Sequence, residues 1–238
     1  PYSGGLARNI EQCLNDFGIP LRLSHTVVDI KGNERVKGVV VAAVDEANGR
    51  TPIPGTEEFI ECDTLLLSCG LIPENELTRG AGIIMDPVTN GAVVNQNRET
   101  SADGIYACGN ALHVHDLVDF VSEEAEIAGT SVAEKLLGKS DRAIRTVFVK
   151  PGHGIRYSVP QRIDISASDA PVRVFFRVTD VFKKVRISIT DESGNIYAEK
   201  RKPGSAPGEM ESLEIKGKAL ELLRNSAATE LKLALETI

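Results

Sequence analysis

Four absences narrow what this chain can be. No apolar run approaches the roughly 20 residues that span a bilayer; the longest, at residues 39–44 and 65–67, are strand-sized, and no membrane span is expected. None of the four cysteines, at 13, 62, 69 and 108, forms a Cys-x-x-Cys pair. That spacing suits neither a zinc site nor a thioredoxin-type redox pair, so no metal site is expected, and reduced thiols point to a cytoplasmic protein. A basic excess is missing as well: the formal net charge is −7, and nucleic acid is held by a basic face, so no nucleic-acid partner is expected. Finally, no Gly-x-Gly-x-x-Gly loop occurs anywhere, which leaves the chain without that form of pyrophosphate cradle.

What is present is ordinary for a globular protein, with 42% hydrophobic and 26% charged residues in 238, enough for two compact domains. Residue 1 is Pro and no secretory pattern follows, so the sequence is expected to begin inside a longer protein. Apolar residues at Leu6, Ile10, Cys13, Leu14 and Phe17 have helical spacing, with Cys13 on the buried stripe and Gly18 as the stop. Residues 21–23 predict a short strand, and 27–30 with 36–44 a hairpin turning near Gly32 and Asn33. The apolar run at 64–68 predicts a buried central strand, 93–94 an edge strand, and 104–108 a second buried strand closed by Gly109. The longest helical pattern covers 116–137, capped by Asp116, with Leu117, Val121, Ala125, Ala128, Val132 and Leu136 on one stripe. After Gly138, residues 139–141 read as a linker. Alternating strands follow at 146–149, 172–178, 185–189 and 196–200, with a hairpin turn at 191–195, a helix at 218–224 and a last strand at 230–235.

The stretch that carries chemistry is Thr-Ser-Ala-Asp-Gly-Ile-Tyr-Ala-Cys-Gly-Asn at 100–110. Gly109 allows a backbone to approach a ligand without a Cβ, Asn110 offers a hydrogen-bonding amide, and the helix that follows can aim free N–H groups and its positive end at an anion. A second stretch, Cys62 to Asn75, runs through an apolar strand into Gly70-Leu71-Ile72-Pro73, a breaker-rich change of direction.

In this order and spacing, the two stretches resemble the two-dinucleotide-binding-domain flavoproteins of the pyridine nucleotide-disulfide oxidoreductase superfamily, over roughly residues 1–138. The likeness is closest to the flavoprotein subunits found with glycerol-3-phosphate, opine or related amine dehydrogenases, through His113-Val114-His115-Asp116-Leu117-Val118-Asp119. It implies an α/β chain, a partial two-dinucleotide-binding-domain fold, followed by a mostly β carboxy-terminal domain. Residues 1–69 would be the second half of the NAD(P) domain, 70–138 the returning part of the FAD domain, and 139–238 the β-rich domain. The family's two glycine loops would lie upstream of Pro1, so this chain alone is expected to hold FAD only loosely and to be inactive by itself. Asn110 stands where many members carry Asp.

The resemblance implies FAD as cofactor, with NAD(P) as its electron partner. Gly109 and Asn110 would contact the ribityl–pyrophosphate region, Asp116 with Leu117 and Val118 the flavin pyrimidine, and Gly70 the nicotinamide route. The expected function is electron transfer between a nicotinamide nucleotide and a second acceptor, with a partner redox subunit, a small-molecule substrate and an oligomeric assembly. Two alternatives remain: a non-catalytic docking module built on the β-rich tail, and a subunit oxidising a small glycerol-3-phosphate or amine-type substrate without nicotinamide. His113 and His115 flank the helix start. Either is a proton donor or substrate contact, or a loop histidine satisfied by backbone or water. Asp116, Asp119, Glu123 and Glu124 read as dipole compensation and solvated surface.

Overall fold

The structure is a computed structural model that describes residues 7–139, 143–166 and 168–238, without the side chain of Ala7. It falls into two compact units, Pro1–Gly70 and Leu71–Ile238.

In the first unit, α1 (Ala7–Cys13) runs into a 3-10 turn at Asn15–Phe17, and Gly18 ends it at φ 64°, its N–H returning to Asn15 O. Leu6 lies outside the described residues. The helix is short and Cys13 is exposed, so the expected buried stripe is not formed. Strand β1 (His25–Lys31) pairs antiparallel with β2 (Gly38–Asp45), the expected hairpin, and β3 (Thr51–Pro52) and β4 (Glu58–Glu61) both pair with β2. Only the central strand β2 is well buried, through Val39, Val41 and Ala42.

Two expected strands are absent here. Residues 21–23 follow Pro20, pair with nothing and leave Leu21 and Leu23 exposed. Residues 64–68 are also unpaired, with Leu66 and Leu67 exposed. A continuous apolar run becomes a buried strand only between hydrogen-bonded neighbours, and no described strand of this unit reaches it.

In the second unit, α2 (Glu76–Gly80) and a series of tight loops lead to α3 (Val118–Leu136), ended by Gly138 at φ 67°. Residues 93–94 and 105–108 form no strand, and Gly104 belongs to a turn at φ 76°. They are held by single bridges, Met85 to Ala92 and Glu99 to Tyr106, and by Thr100 N–H to Ile105 O at 2.8 Å. Their partners, residues 84–85 and 98–100, are too short to propagate a ladder. Of the expected linker at 139–141, Ser140 and Asp141 lie outside the described residues.

Eight strands follow: β5 (Arg145–Pro151), β6 (Ile155–Val159), β7 (Arg162–Ile165), β8 (Val172–Val178), β9 (Phe182–Asp191), β10 (Ile196–Ser205), β11 (Glu211–Ile215) and β12 (Glu230–Thr237). They form a five-stranded sheet in the order β10-β9-β12-β5-β7 and a three-stranded sheet in the order β11-β8-β6. Among the described strands only β12 and β5 pair in parallel. Val147, Val174, Phe176, Ile187 and Leu233 fill the space between the sheets without exposure, each contributing roughly 1.5–3 kcal/mol. Helix α4 (Lys218–Asn225) adds Leu220 and Leu223 to the same core.

The segments read as 70–138 and 139–238 lie together within this unit from Leu71 on. Val94 and Leu112 of the loops share a buried cluster with Tyr157 and Val159 of β6. Asn95 Nδ2 donates to Asp164 Oδ2 at 2.8 Å, and Gln96 Nε2 to Asp164 O at 2.7 Å. No helix among the described residues is long and apolar enough to cross a membrane.

Candidate functional site

The second unit buries one carboxylate completely. Glu124 is 0% exposed, on the inward face of α3, three residues after Val121 and four before buried Ala128. The sequence reading places it on a solvated face; of the six residues on the expected stripe, Ala128 is buried and Val121 and Val132 half-buried, whereas Leu117, Ala125 and Leu136 are exposed. The helix turns Glu124 rather than Ala125 inward, where it meets Arg98. The missed signal was in the spacing itself, since Val121, Glu124 and Ala128 repeat at i, i+3 and i+7.

Four donors converge on this carboxylate. Arg98 Nε at 3.0 Å and His113 Nε2 at 3.1 Å meet Oε1; Gly109 N–H at 2.9 Å and His115 Nε2 at 3.0 Å meet Oε2. Arg98 is 0% exposed, His113 1% and His115 8%. Burial alone would raise the Glu124 pKa, but the two histidine hydrogen bonds and the Arg98 charge outweigh it and hold the carboxyl well below its ordinary range. Because a carboxylate only accepts, each histidine carries a proton on Nε2, and His113, held neutral by burial, leaves its Nδ1 bare. Both Nδ1 atoms, and Arg98 Nη2, have no hydrogen-bond partner among the described residues. Burial pushes the His113 pKa down, against the pull of Glu124, since a second ring proton would find no acceptor.

His113, His115 and Glu124 bring three ligand-type atoms within 4.8 Å of one another. The arrangement is nonetheless that of a saturated carboxylate. Each oxygen already takes two hydrogen bonds, Oε1 one of them from the Arg98 guanidinium, and neither Nδ1 has the acceptor that a ligating imidazole normally requires.

Acid should therefore destabilise this unit twice over. The unfolded chain takes up a proton at His113 near the ordinary 6.5, the folded chain only at lower pH, so stability begins to fall below about pH 6.5. Glu124 acts in the same direction: its contribution is complete above the ordinary 4.5 and is lost as the pH drops toward its depressed value. The expected result is a Tm that declines from about pH 7 to about pH 5 and more steeply below. An unchanged Tm across that range would contradict the network.

The sequence-predicted residues are distributed around this hub. Gly109 is buried at φ +66°, and a Cβ there would lie 3.1 Å from Val121 Cγ1, so the close approach it permits is made inward, to α3 and Glu124. Asn110 is exposed, and its Oδ1 accepts His115 N–H at 3.1 Å. Asp116 does not cap α3; the helix begins after Leu117 with no side-chain cap. Its carboxylate instead takes Arg177 Nη2 and the Met210 N–H, the latter at 2.6 Å. A strand-borne guanidinium displaces the weaker capping interaction. Leu117 and Val118 are exposed at the start of α3, Val118 by 74%. Gly70 is exposed at φ 91°, in the first unit. Cys108, beside the hub, is half-buried, and burial pushes its thiol up, which disfavours the reactive thiolate.

Residues 2–135 match the pyridine nucleotide-disulphide oxidoreductase family. Among curated proteins, the nitric oxide reductase FlRd-NAD(+) reductase of Escherichia coli is 24% identical over 135 residues, which is 57% of this chain and 32% of that protein. The glutamate synthase (NADH) of Schizosaccharomyces pombe is 29% identical over 119 residues, 47% of this chain and 6% of that protein. Among solved structures, the thioredoxin reductase of T. acidophilum shows 25% identity and a TM-score of 0.44, over 55% of this chain and 39% of its own. The chain thus spans about a third of the length of the nitric oxide reductase relatives it matches.

Proposed function

Because the chain belongs to the pyridine nucleotide-disulphide oxidoreductase family, we propose that it forms part of an FAD-dependent oxidoreductase that passes electrons between a nicotinamide nucleotide and a second acceptor. One observation carries this reading. The Gly109–Asn110 turn and the start of α3 stand side by side, and α3 opens without a side-chain cap, its first residues exposed. The first N–H groups of a helix have no intrahelical acceptor and carry partial positive charge, so this surface suits an acceptor-rich, partly anionic group. Gly109 and exposed Asn110 would meet the ribityl–pyrophosphate part of FAD, and the backbone at Leu117 and Val118 the flavin pyrimidine. Asp116 would act on the cofactor only through the loop it holds, since its carboxylate is engaged elsewhere. Gly70 is proposed for the nicotinamide route.

Bound FAD supplies the hydride and electron chemistry; the chain supplies position and field. Donors at the α3 start would stabilise negative charge on the reduced ring, and buried Leu112 and His113 exclude water beneath the loop. The likeness of residues 113–119 to flavoprotein subunits of glycerol-3-phosphate or opine-type dehydrogenases supports a small-molecule donor and a partner redox subunit in an oligomer.

The test is FAD titration of the purified chain, followed by flavin fluorescence. Asn110→Ala should weaken FAD binding about tenfold, ~1.4 kcal/mol, through loss of a polar contact and of the His115 N–H acceptor. A variant that binds FAD as tightly as the parent would remove Asn110 from the site.

A further inference from the structure

Strand β8 has one fully buried face and a second that is partly covered, with Phe175 buried between half-buried Arg173 and Arg177. Val174, Phe176 and Val178 point into the sandwich core. The alternate residues Arg173, Phe175 and Arg177, which a sheet surface would ordinarily show to water, all meet the loop and helix around Glu124. Arg173 Nη1 donates to Glu123 Oε2 at 2.7 Å. The Phe175 ring centre lies 5.8 Å from that of His113, 5.9 Å from His115 and 5.9 Å from Phe120. Arg177 Nη2 donates to the Asp116 carboxylate and to Val114 O at 3.1 Å. Its other nitrogens donate to Tyr157 OH at 3.2 Å and Pro207 O at 3.1 Å. The backbone of Met210 adds a second donor to Asp116 from the tail. Within the segment 113–118, Val114 and Asp116 are thus held by Nη2 of one guanidinium, whose planar geometry, fixed by its bonds to Tyr157 and Pro207, sets direction as well as charge. All of these tail residues lie beyond the stretch that matches the family, which ends at 135.

We propose that Arg177 is a positioning residue of the cofactor site, and that the outer face of β8 is the floor of that site. This rests on the FAD reading above. Arg177 sets where residues 114–117 run, and so where the first N–H groups of α3 point. The β-rich tail is then a working part of the oxidoreductase rather than a separate docking appendage.

The experiment uses the full chain with Arg177→Met, followed by hydrogen exchange of the FAD-free protein and by FAD affinity on the same samples. Exchange in peptides covering 109–120 should rise about tenfold while β9 and β12 peptides stay unchanged, and FAD should bind about tenfold more weakly, ~1.4 kcal/mol. Unchanged exchange at 109–120 overturns the proposal. So does exchange that quickens evenly through the sandwich, which is what a merely structural role gives, and so does a loosened loop with unaltered FAD affinity. Arg177→Lys keeps the charge but not the fork, and is read in the same way if the methionine variant does not fold. A parent chain that binds no FAD would remove the cofactor reading alone, because the exchange measurement decides separately whether Arg177 holds the loop.

Discussion

Replacing Glu124 with leucine is expected to destabilise the second unit by roughly 3–5 kcal/mol, the usual cost of removing one partner from a buried ion pair. The substitution nearly conserves volume, so the loss is electrostatic rather than a cavity. Arg98, 0% exposed, would keep its charge with no carboxylate opposite and with Nη2 already unpartnered. His113, His115 and the Gly109 N–H would each lose their acceptor as well. For a unit of this size, that is a fall in Tm of about 6–20 °C. Glu124→Gln keeps one acceptor oxygen but turns an NH₂ toward two donors, and should fall between the parent and the leucine variant. The double variant Arg98→Met with Glu124→Leu should recover part of the loss, since it removes the uncompensated charge. Urea unfolding of the three variants checks this; a change below about 1 kcal/mol for Glu124→Leu would mean that the four hydrogen bonds are not made in solution.

A methyl group at Gly91 should be comparably damaging for a different reason. A Cβ there would stand 1.8 Å from Leu112 O, 2.6 Å from its carbonyl carbon and 2.8 Å from its Cα. All three are backbone atoms, and Leu112 is fully buried beside His113, so relief requires moving the segment that carries both histidines. Gly91→Ala is expected to cost more than about 3 kcal/mol and to reduce soluble yield. Gly80→Ala is the control: it meets nothing within 4 Å, and its stability should stay within about 0.5 kcal/mol of the parent. If Gly91→Ala also behaves like the control, the loop does not pass Leu112 at this distance.

The parts of this structure legible in the sequence are those whose determinants are local. Residues 172–178 alternate and become β8 with the same limits. The Asp191–Asn195 turn is set by an aspartate whose carboxylate takes the Ser193 and Asn195 N–H groups at 2.9 Å each. Gly18 and Gly138 end helices where expected. The motif at 100–110 supplies the Gly109 N–H of the buried network, but the carboxylate at the centre of that network is not legible in it. Glu124 looks like one acid among several, and its burial depends on Arg98, 26 positions earlier. Asp116 has every property of a helix cap, and its actual partners lie 61 and 94 positions away. Residues 64–68 fail in the opposite sense: their composition is that of a central strand, but a strand's state is decided by neighbours, and none of the described strands supplies one.

The two-faced strand also fixes the order in which each molecule can be finished. Glu124, both histidines and Arg98 leave the ribosome together, but Phe175 and Arg177 follow some fifty residues later. At roughly 5–20 residues per second, that is an interval of several seconds. During it α3 has no floor, and the loop from 113 to 118 lacks the guanidinium that directs it. For that interval the side of the hub that Phe175 and Arg177 cover in the finished chain has no partner to meet.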